Sequence, residues 1–313
     1  MAIRLNPISP LASYAMRCRV LEFSSIVSPM GEGAIGREVA MKRLISAVCF
    51  LSAFGMGAAW AQPFTPNDAG VTMGHWHLNS ANAEANKKIF VAMGGTDTSI
   101  GPSQRVTFPG VIVIMNLGAP GPAPTAGSRG SVVNHVGFIV KNVQEQVAKW
   151  KAAGVAVEPG ANNRLDQAYV NTPDGLRIEI LEDKNQPMPI RHEHVHFFLP
   201  EPAISQSQGW YAKNFGAKAG TRNNGAVADI PGVQLRYNKA DMAQAPTKGR
   251  VLDHIGFDVT DLQAFIKKLE ANGVKLDRPY TKNEQTGVAL AFITDPFGTY
   301  IELNQRPSPV YLP

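Results

Sequence analysis

Four histidines and two glutamates occupy matching positions in two successive copies of one sequence pattern. They are His75, His135, Glu179, His194, His254 and Glu302. The copies are offset by 119 residues, the step from His75 to His194 and again from His135 to His254. Two imidazoles and one carboxylate suit a first-row divalent metal and leave coordination positions open for substrate and oxygen. We predict a metal site in at least one half, and whether one or both halves bind metal stays open. The candidate ligands are His75, His135 and Glu179 in the first half and His194, His254 and Glu302 in the second.

Each of the four histidines lies in a short segment with the pattern of a strand. The segments read GHWHLNS (74–80), NHVGFIV (134–140), EHVHFFL (193–199) and DHIGFDV (253–259). Alternate strand residues point to the same face, so the residue two positions after each histidine lies beside it. That residue is Gly137 or Gly256 in two segments, and the glycine leaves space beside the imidazole. In the other two it is His77 or His196, and His196 is a candidate general acid or base.

A helix is predicted after the second and fourth of these segments. Residues 142–155 and 260–274 each place apolar residues on one helical face, and a glycine follows the last turn. Asn142 and Thr260 have the chemistry of N-terminal caps. These helices therefore occupy equivalent places in the two copies.

Strands follow each helix, so the chain consists of four units of one strand, one helix and two or three further strands. The second and fourth units end in TPDGLRIEILE (172–182) and DPFGTYIELNQ (295–305), in which a turn precedes alternating apolar residues and the glutamate. This composition of elements predicts an α+β fold. The repeat predicts two domains, at residues 70–184 and 190–306.

These motifs resemble the vicinal oxygen chelate superfamily, which includes glyoxalase I, type I extradiol dioxygenases and bleomycin-resistance proteins. The resemblance lies in the His-apolar-Gly-aromatic strand, the helix ending in Ala-Gly-Val or Asn-Gly-Val, and the Pro-x-Gly-x-x-Ile-Glu strand, and it covers residues 70–306. It implies four βαβββ modules paired into two glyoxalase/dioxygenase-like domains with curved, mostly antiparallel sheets. It also implies a metal in each cup that chelates adjacent oxygens of a small-molecule substrate.

The ends of the first and third units bear on which member of the superfamily the chain resembles. Glyoxalase I-like sites take one ligand from the last strand of both paired units, six residues after the proline, and here those residues are Met115 and Tyr237. Neither is a carboxylate, so a fourth ligand is missing unless His77 or His196 replaces it. Tyr237 would then lie in the cup as a candidate catalytic residue that orients substrate, or it is simply an aromatic strand residue. With Tyr237 and His196, the second half ranks as the working site.

The resemblance leaves three kinds of function open. A dioxygenase-like enzyme with Fe(II) or Mn(II) is the first expectation, because three protein ligands fit that pattern. A lyase or isomerase of the glyoxalase kind, with Zn(II) or Ni(II) as further possible metals, is the second. The third is a non-catalytic small-molecule binding protein of the bleomycin-resistance type, although such members usually lack the ligand set.

Composition and charge exclude several other partners. The 313 residues are 44% hydrophobic and 18% charged, which is a globular composition. The formal net charge is +5, but part of the basic excess lies in residues 1–61, and no basic stripe appears in the rest. We therefore expect a small-molecule substrate and no nucleic acid. A homodimer remains open.

The segment MKRLISAVCFLSAFGMGAAWAQ predicts a secretory signal peptide at residues 41–61. A basic start and a short apolar run precede a small-x-small cleavage pattern, Ala59-Trp60-Ala61. The run is short for a membrane span, so we expect a periplasmic or secreted protein that has no membrane segment once the signal is removed. Residues 1–40 are then an upstream extension of the 1–61 leader. Both cysteines lie within the leader, so the mature chain has no disulfide or thiol chemistry.

Overall fold

The computed structural model describes residues 64–117 and 123–307, and the predicted leader lies outside the described residues. The helices are α1 (Ala83–Ala92), α2 (Val143–Ala152), α3 (Glu201–Phe215) and α4 (Leu262–Ala271), with a short 3-10 helix at Ala161–Asn163. The strands of the first half are β1 (Val71–Leu78), β2 (Thr96–Asp97), β3 (Ser103–Phe108), β4 (Val111–Leu117), β5 (Val133–Val140), β6 (Val157–Pro159), β7 (Gln167–Asn171) and β8 (Arg177–Glu182). Those of the second half are β9 (Ile190–Leu199), β10 (Lys218–Arg222), β11 (Gly225–Ile230), β12 (Val233–Lys239), β13 (Leu252–Val259), β14 (Leu276–Lys282), β15 (Ala289–Thr294) and β16 (Tyr300–Gln305).

These strands form two eight-stranded sheets. The first sheet has the order β14-β15-β16-β13-β1-β4-β3-β2, and the second has the order β10-β11-β12-β9-β5-β8-β7-β6. Most neighbours are antiparallel, while β1–β4, β13–β16, β5–β8 and β9–β12 are parallel. The predicted α+β class with mostly antiparallel sheets is confirmed.

The pairing of the four units differs from the prediction. The first sheet joins the first unit (β1–β4) to the fourth (β13–β16), and the second sheet joins the second (β5–β8) to the third (β9–β12). Neither 70–184 nor 190–306 therefore contains a whole sheet. The expectation that adjacent units pair was wrong because the repeat specifies what each unit looks like. The first strands β1, β5, β9 and β13 are alike, and an antiparallel pair of them forms equally well within a half or between halves.

The reverse faces of both sheets share one apolar core. Trp76 points away from its neighbours His75 and His77 and is fully buried. Its ring contacts Phe138 of the second sheet at 5.3 Å between centroids. Phe215 of α3 likewise contacts Phe257 of the first sheet at 5.0 Å. With its reverse face packed in this core, each sheet presents its histidine face to a cup.

The helices α2 and α4 begin and end as their sequences predict, with one correction at the N-terminus of α4. Asn142 caps α2, but Asp261 and not Thr260 caps α4; each side chain accepts a backbone N–H three residues on at 3.0 Å. Gly154 and Gly273 follow the two helices with φ of 81° and 85°, the left-handed conformation that glycine adopts without strain. Among the described residues, no helix is both long and apolar enough to cross a membrane.

Candidate metal centres

The first candidate metal centre lies on the cup face of the first sheet, where β1, β13 and β16 are neighbours. It contains His75, His77, His254 and Glu302, which we call the first cluster; one ligand atom from each lies within 4.8 Å of the others. Glu302 Oε2 lies 2.9 Å from His254 Nε2 and 3.2 Å from His75 Nε2. The His77 and His254 rings lie 4.6 Å apart between centroids. The four side chains thus converge on one point of the cup.

The second sheet repeats this arrangement. His135, Glu179, His194 and His196 form the second cluster, again with one ligand atom from each within 4.8 Å of the others. Glu179 Oε2 lies 3.1 Å from His194 Nε2 and 3.3 Å from His135 Nε2. His196 Nδ1 lies 2.9 Å from His135 Nε2. The two sheets therefore offer the same donor set twice.

All six predicted ligands enter these clusters, but the predicted triads were wrong. His75 lies with His254 and Glu302 in the first cluster. His194 lies with His135 and Glu179 in the second cluster. The cause is the strand pairing, since β1 lies antiparallel to β13 with His75 opposite Gly256 and His77 opposite His254. The pair β5–β9 repeats this register.

Of the four histidines predicted as ligands, three have a hydrogen-bond acceptor at Nδ1 from the residue that precedes them. Oxygen atoms of Asn134, Glu193 and Asp253 lie 3.0, 2.6 and 2.7 Å from the Nδ1 atoms of His135, His194 and His254. An acceptor at Nδ1 holds the proton there, so Nε2 keeps its lone pair for a metal. His75 follows Gly74 instead, and its Nδ1 has no hydrogen-bond partner among the described residues.

Burial and hydrogen bonding set the protonation states of the clusters. Burial lowers the pKa of His77 to about 3, of His135 to about 4 and of His196 to about 2, so these imidazoles are neutral at pH 7. Burial opposes ionisation of Glu302 and Glu179, but the two histidine side chains beside each carboxylate outweigh it and hold both pKa values far below the usual range. The pKa values of His194 and His254 are instead raised, because hydrogen bonds and charges of the neighbouring carboxylates outweigh burial. A metal binds the neutral form of these rings and would displace the extra proton.

The donor set fits a divalent cation because some of its buried nitrogen atoms have no hydrogen-bond partner among the described residues. His77 Nδ1, His194 Nε2 and His196 Nε2 are buried without a hydrogen-bond partner among the described residues. His194 Nε2 lies 3.1 Å from Glu179 Oε2, yet the pair is not aligned for a hydrogen bond. A buried polar atom left unpaired costs free energy, and a cation bound between these lone pairs would remove that cost.

The structure places Tyr237 outside the second cup, contrary to its prediction as a catalytic residue. Its ring stacks on Phe197 at 5.3 Å between centroids, and its hydroxyl accepts a hydrogen bond from Ser207 of α3 at 3.3 Å. Met115 is also fully buried. The first and third units turn at Pro-Gly, one residue shorter than Pro-x-Gly in the others. A count of six residues from the proline is therefore one residue too long in these units. An error of one residue selects a side chain on the opposite face of the strand.

Strand register identifies the true counterparts of the glutamates. Glu302 lies beside Gly256, two residues after a cluster histidine. The residues beside His77 and His196, the matching positions, are Ile114 and Arg236. Neither is a carboxylate, so the conclusion that the paired units supply one glutamate per site holds with corrected residues.

The sequence analysis missed the side chains that hold the glutamates. Asn304 Nδ2 donates to Glu302 Oε1 at 2.7 Å. In the second cluster the Tyr169 hydroxyl donates to Glu179 Oε1 at 3.2 Å, and Gln167 donates to the same oxygen. Asn304 could have been found because it follows Glu302 by two residues on one strand face. Gln167 and Tyr169 alternate on β7, but only the pairing of β7 with β8 brings them to the glutamate.

A cavity of about 820 Å³ opens beside the first cluster. His75, His77 and Glu302 lie in its wall together with Ile112 and Ile114. The volume falls within the range of small-molecule sites, and a mostly apolar lining with a few convergent polar groups is typical of them. The first cluster is therefore accessible to a ligand of drug-like size.

Comparisons with known proteins agree with this architecture. Residues 191–303 match the family model of the Glyoxalase/Bleomycin resistance protein/Dioxygenase superfamily. Glyoxalase I from Zea mays is similar in structure, with a TM-score of 0.56 and 16% identity over 75% of this chain and 92% of that one. A "putative dioxygenase" from Bacillus subtilis subsp. subtilis str. 168 has a TM-score of 0.55 and 13% identity over 79% of this chain and 87% of its own. Among curated proteins, none matches the sequence.

At such low identity the two solved structures show the fold alone, whereas the family model matches sequence in the third and fourth units. Proteins of this superfamily act on small molecules and typically hold a divalent metal. The four-unit fold, the duplicated His/Glu clusters and the family match lead to one conclusion: residues 191–303 match the Glyoxalase/Bleomycin resistance protein/Dioxygenase superfamily in sequence, and the four-unit chain resembles its members in fold.

Proposed function

We propose that the chain is a metal-dependent enzyme that acts, in a dioxygenase-like reaction, on a small molecule with two neighbouring oxygen atoms, and that the first cluster is its working centre. The observation that carries the proposal is the position of His75, His77 and Glu302 in the wall of the 820 Å³ cavity. The cavity favours the first cluster over the second. The sequence-based preference for the second half depended on Tyr237, which lies in the core, and on His196, which lies in the second cluster.

The residues of the first cluster divide the work. His75, His254 and Glu302 would hold the metal, with Fe(II) or Mn(II) the favoured ions for this donor set. Such an ion would supply a Lewis acid for the neighbouring oxygens of the substrate. Asp253 keeps His254 in the tautomer that leaves Nε2 free, and Asn304 fixes the Glu302 carboxylate.

His77 has a distinct role in this scheme. Its imidazole is neutral at pH 7 and lies in both the cluster and the cavity wall. In a three-ligand centre it is free to take a proton from a substrate hydroxyl and return it later. Its chemistry therefore complements the ligands without belonging to them.

A glyoxalase-like lyase or isomerase is the second candidate, and His77 is the observation that favours it. A ligand atom of His77 lies within 4.8 Å of the ligand atoms of the other three residues, so it could complete a four-ligand shell. That shell would suit Zn(II) or Ni(II) and would leave fewer positions for oxygen. Oxygen consumption distinguishes the two candidates.

The test uses protein reconstituted with Fe(II) under nitrogen, given catechol and then oxygen, with metal content and oxygen uptake measured together. Glu302→Ala should remove one metal and lower turnover more than about a hundredfold, because the only carboxylate donor of the first cluster is gone. Glu179→Ala is the matched control and should remove the other metal while turnover stays. Thermal unfolding of both variants checks the fold.

The other outcomes each decide something. Full activity in Glu302→Ala would overturn the assignment of the first cluster. Turnover of a hemithioacetal without oxygen uptake would favour the lyase. A wild-type protein that binds no divalent metal would be a binding module.

A further inference from the structure

The lining of the cavity beside the first cluster, called the first cavity below, carries more positive than negative charge. Five ionisable side chains other than histidine line it: Arg105, Asp258, Lys282, Glu302 and Arg306. Three are cations and two are carboxylates, and Glu302 belongs to the metal cluster. A divalent cation in the first cluster would increase the positive excess. A neutral molecule in the cavity would leave that charge uncompensated.

Among the described residues that line this cavity, Arg105 is the cation without a charged partner. Its Nε donates to Ser103 Oγ at 2.9 Å, and among the described residues no carboxylate forms an ion pair with it. Arg306 has a partner, since its Nε lies 3.0 and 3.2 Å from the two carboxylate oxygens of Asp258. Burial and the charge of Arg306 both lower the pKa of Arg105, so the two guanidinium groups act on each other across the cup. An anion between them would relieve that repulsion.

Strand register places Arg105 at a definite distance from the cluster. His77 lies beside Ile114 in the pair β1–β4, and Ile114 lies beside Arg105 in the pair β4–β3. Adjacent strands are about 4.8 Å apart, so the Arg105 backbone is about 10 Å from that of His77 on the same face. Ile112 and Ile114 form an apolar floor between the cluster and the guanidinium.

We propose that the ligand of the first cavity carries an oxyanion, a carboxylate or a phosphate, that binds Arg105. Its neighbouring oxygens lie at the first cluster, and an apolar segment crosses Ile112 and Ile114 between the two ends. A guanidinium matches the planar geometry of such groups and binds them with two parallel hydrogen bonds. This inference rests on the proposed function, because the cluster fixes the other end of the ligand.

The experiment measures binding and not turnover. Protein loaded with Mn(II) under nitrogen is titrated by calorimetry with catechol, with 3-(3,4-dihydroxyphenyl)propanoate and with the corresponding phosphonate. The two anionic probes separate carboxylate from phosphate recognition. We expect the better of them to bind about ten- to hundredfold more tightly than catechol. Arg105→Gln should abolish that advantage while leaving the affinity for catechol and the Mn(II) content unchanged.

Arg222→Gln is the matched control, because Arg222 is an exposed arginine on β10 of the other sheet, paired with Asp229. It should keep the advantage of the anionic probes. If neither anion binds more tightly than catechol, or if Arg105→Gln keeps the difference, the inference is wrong while the metal site stands. If Mn(II) or catechol does not bind at all, the proposed function itself has failed.

Discussion

The imidazole of His75 fills the space into which a side chain at Gly256 would project. A Cβ built at Gly256 would overlap the His75 ring, and one built at Gly137 would overlap the ring of His194 in the same way. Each glycine lies opposite its histidine on the antiparallel neighbouring strand. The space expected beside His254 is therefore occupied by a ligand from another unit.

Gly256→Ala should displace His75 and remove the metal of the first cluster. The His75 ring is 1% exposed, so it cannot move aside without disturbing the core. Metal analysis should show one equivalent lost, with a fall in the affinity of the remaining first-cluster ligands of at least about tenfold. Gly137→Ala is the reciprocal variant and should affect only the second cluster. Equal metal content in wild type and both variants would contradict this relationship.

Asp253→Asn should weaken metal binding at the first cluster without removing any ligand. The Asp253 carboxylate accepts from His254 Nδ1 at 2.7 Å, and loss of such a partner typically costs about 10- to 100-fold in metal affinity. The measurement is a chelator competition titration in a Glu179→Ala background, where only the first cluster binds. In a Glu302→Ala background the same substitution should change nothing. An unchanged affinity in the first background would show that Asp253 does not act through His254.

His192 should make the protein sensitive to acid. It is fully buried beside Trp76, and burial, with the nearby charge of His194, lowers its pKa from 6.5 to about 3. Above pH 6.5 the side chain is neutral in both folded and unfolded chains. As the pH falls from 6.5 towards 3 only the unfolded chain takes up the proton, so stability is lost across that window, by about 2 kcal/mol at pH 5.

His192→Gln should remove this contribution, because glutamine does not titrate and can still donate to the Gly232 carbonyl near His192 Nδ1. Denaturant unfolding at a series of pH values gives the result as the difference between wild type and variant. That difference should vary with pH below 6.5 and be constant between pH 7 and 8. A difference that is flat from pH 4 to 8 would rule out a shifted pKa at this position.

Export should produce a mature chain that begins at Gln62. The small residues of Ala59-Trp60-Ala61 suit a signal peptidase, so Ala61→Leu should block cleavage and leave a heavier product. Intact-mass measurement and N-terminal sequencing of periplasmic protein test this. Ala58→Leu, just outside the small-x-small pattern, is the control. Mature protein that retains residues 1–40 would contradict the leader.

The sequence predicted which residues are candidate metal ligands, but not which of them lie together in one cluster. His75 and His254 stood out because the same strand pattern recurs, and a repeat is visible in one chain. Which unit pairs with which was not visible, because both arrangements place like strands side by side and bury the same faces. Only the register of β1 against β13 shows that His75 meets Glu302.

The prediction of Tyr237 as a catalytic residue was wrong for a more local reason. A turn shorter by one residue displaced the count, and strand alternation converted that single residue into the opposite face of the sheet. Arg105 escaped notice because no motif surrounds it. Its position in the cavity depends on two successive strand pairings, β1–β4 and β4–β3, which lie beyond the reach of a repeat.

The pairing of first with fourth and second with third units also orders events during synthesis. The second sheet draws on one continuous stretch, β5 to β12, and is complete when residue 239 has left the ribosome. The first sheet must wait for β13 to β16, and its central strand pair joins Val71 to Val259, which lie far apart along the chain. Closing so long a loop is slow. Until the loop is closed, the edge of β1 that pairs with β13 has no strand beside it. We therefore expect the cavity beside the first cluster to form last in folding, after the second sheet is complete.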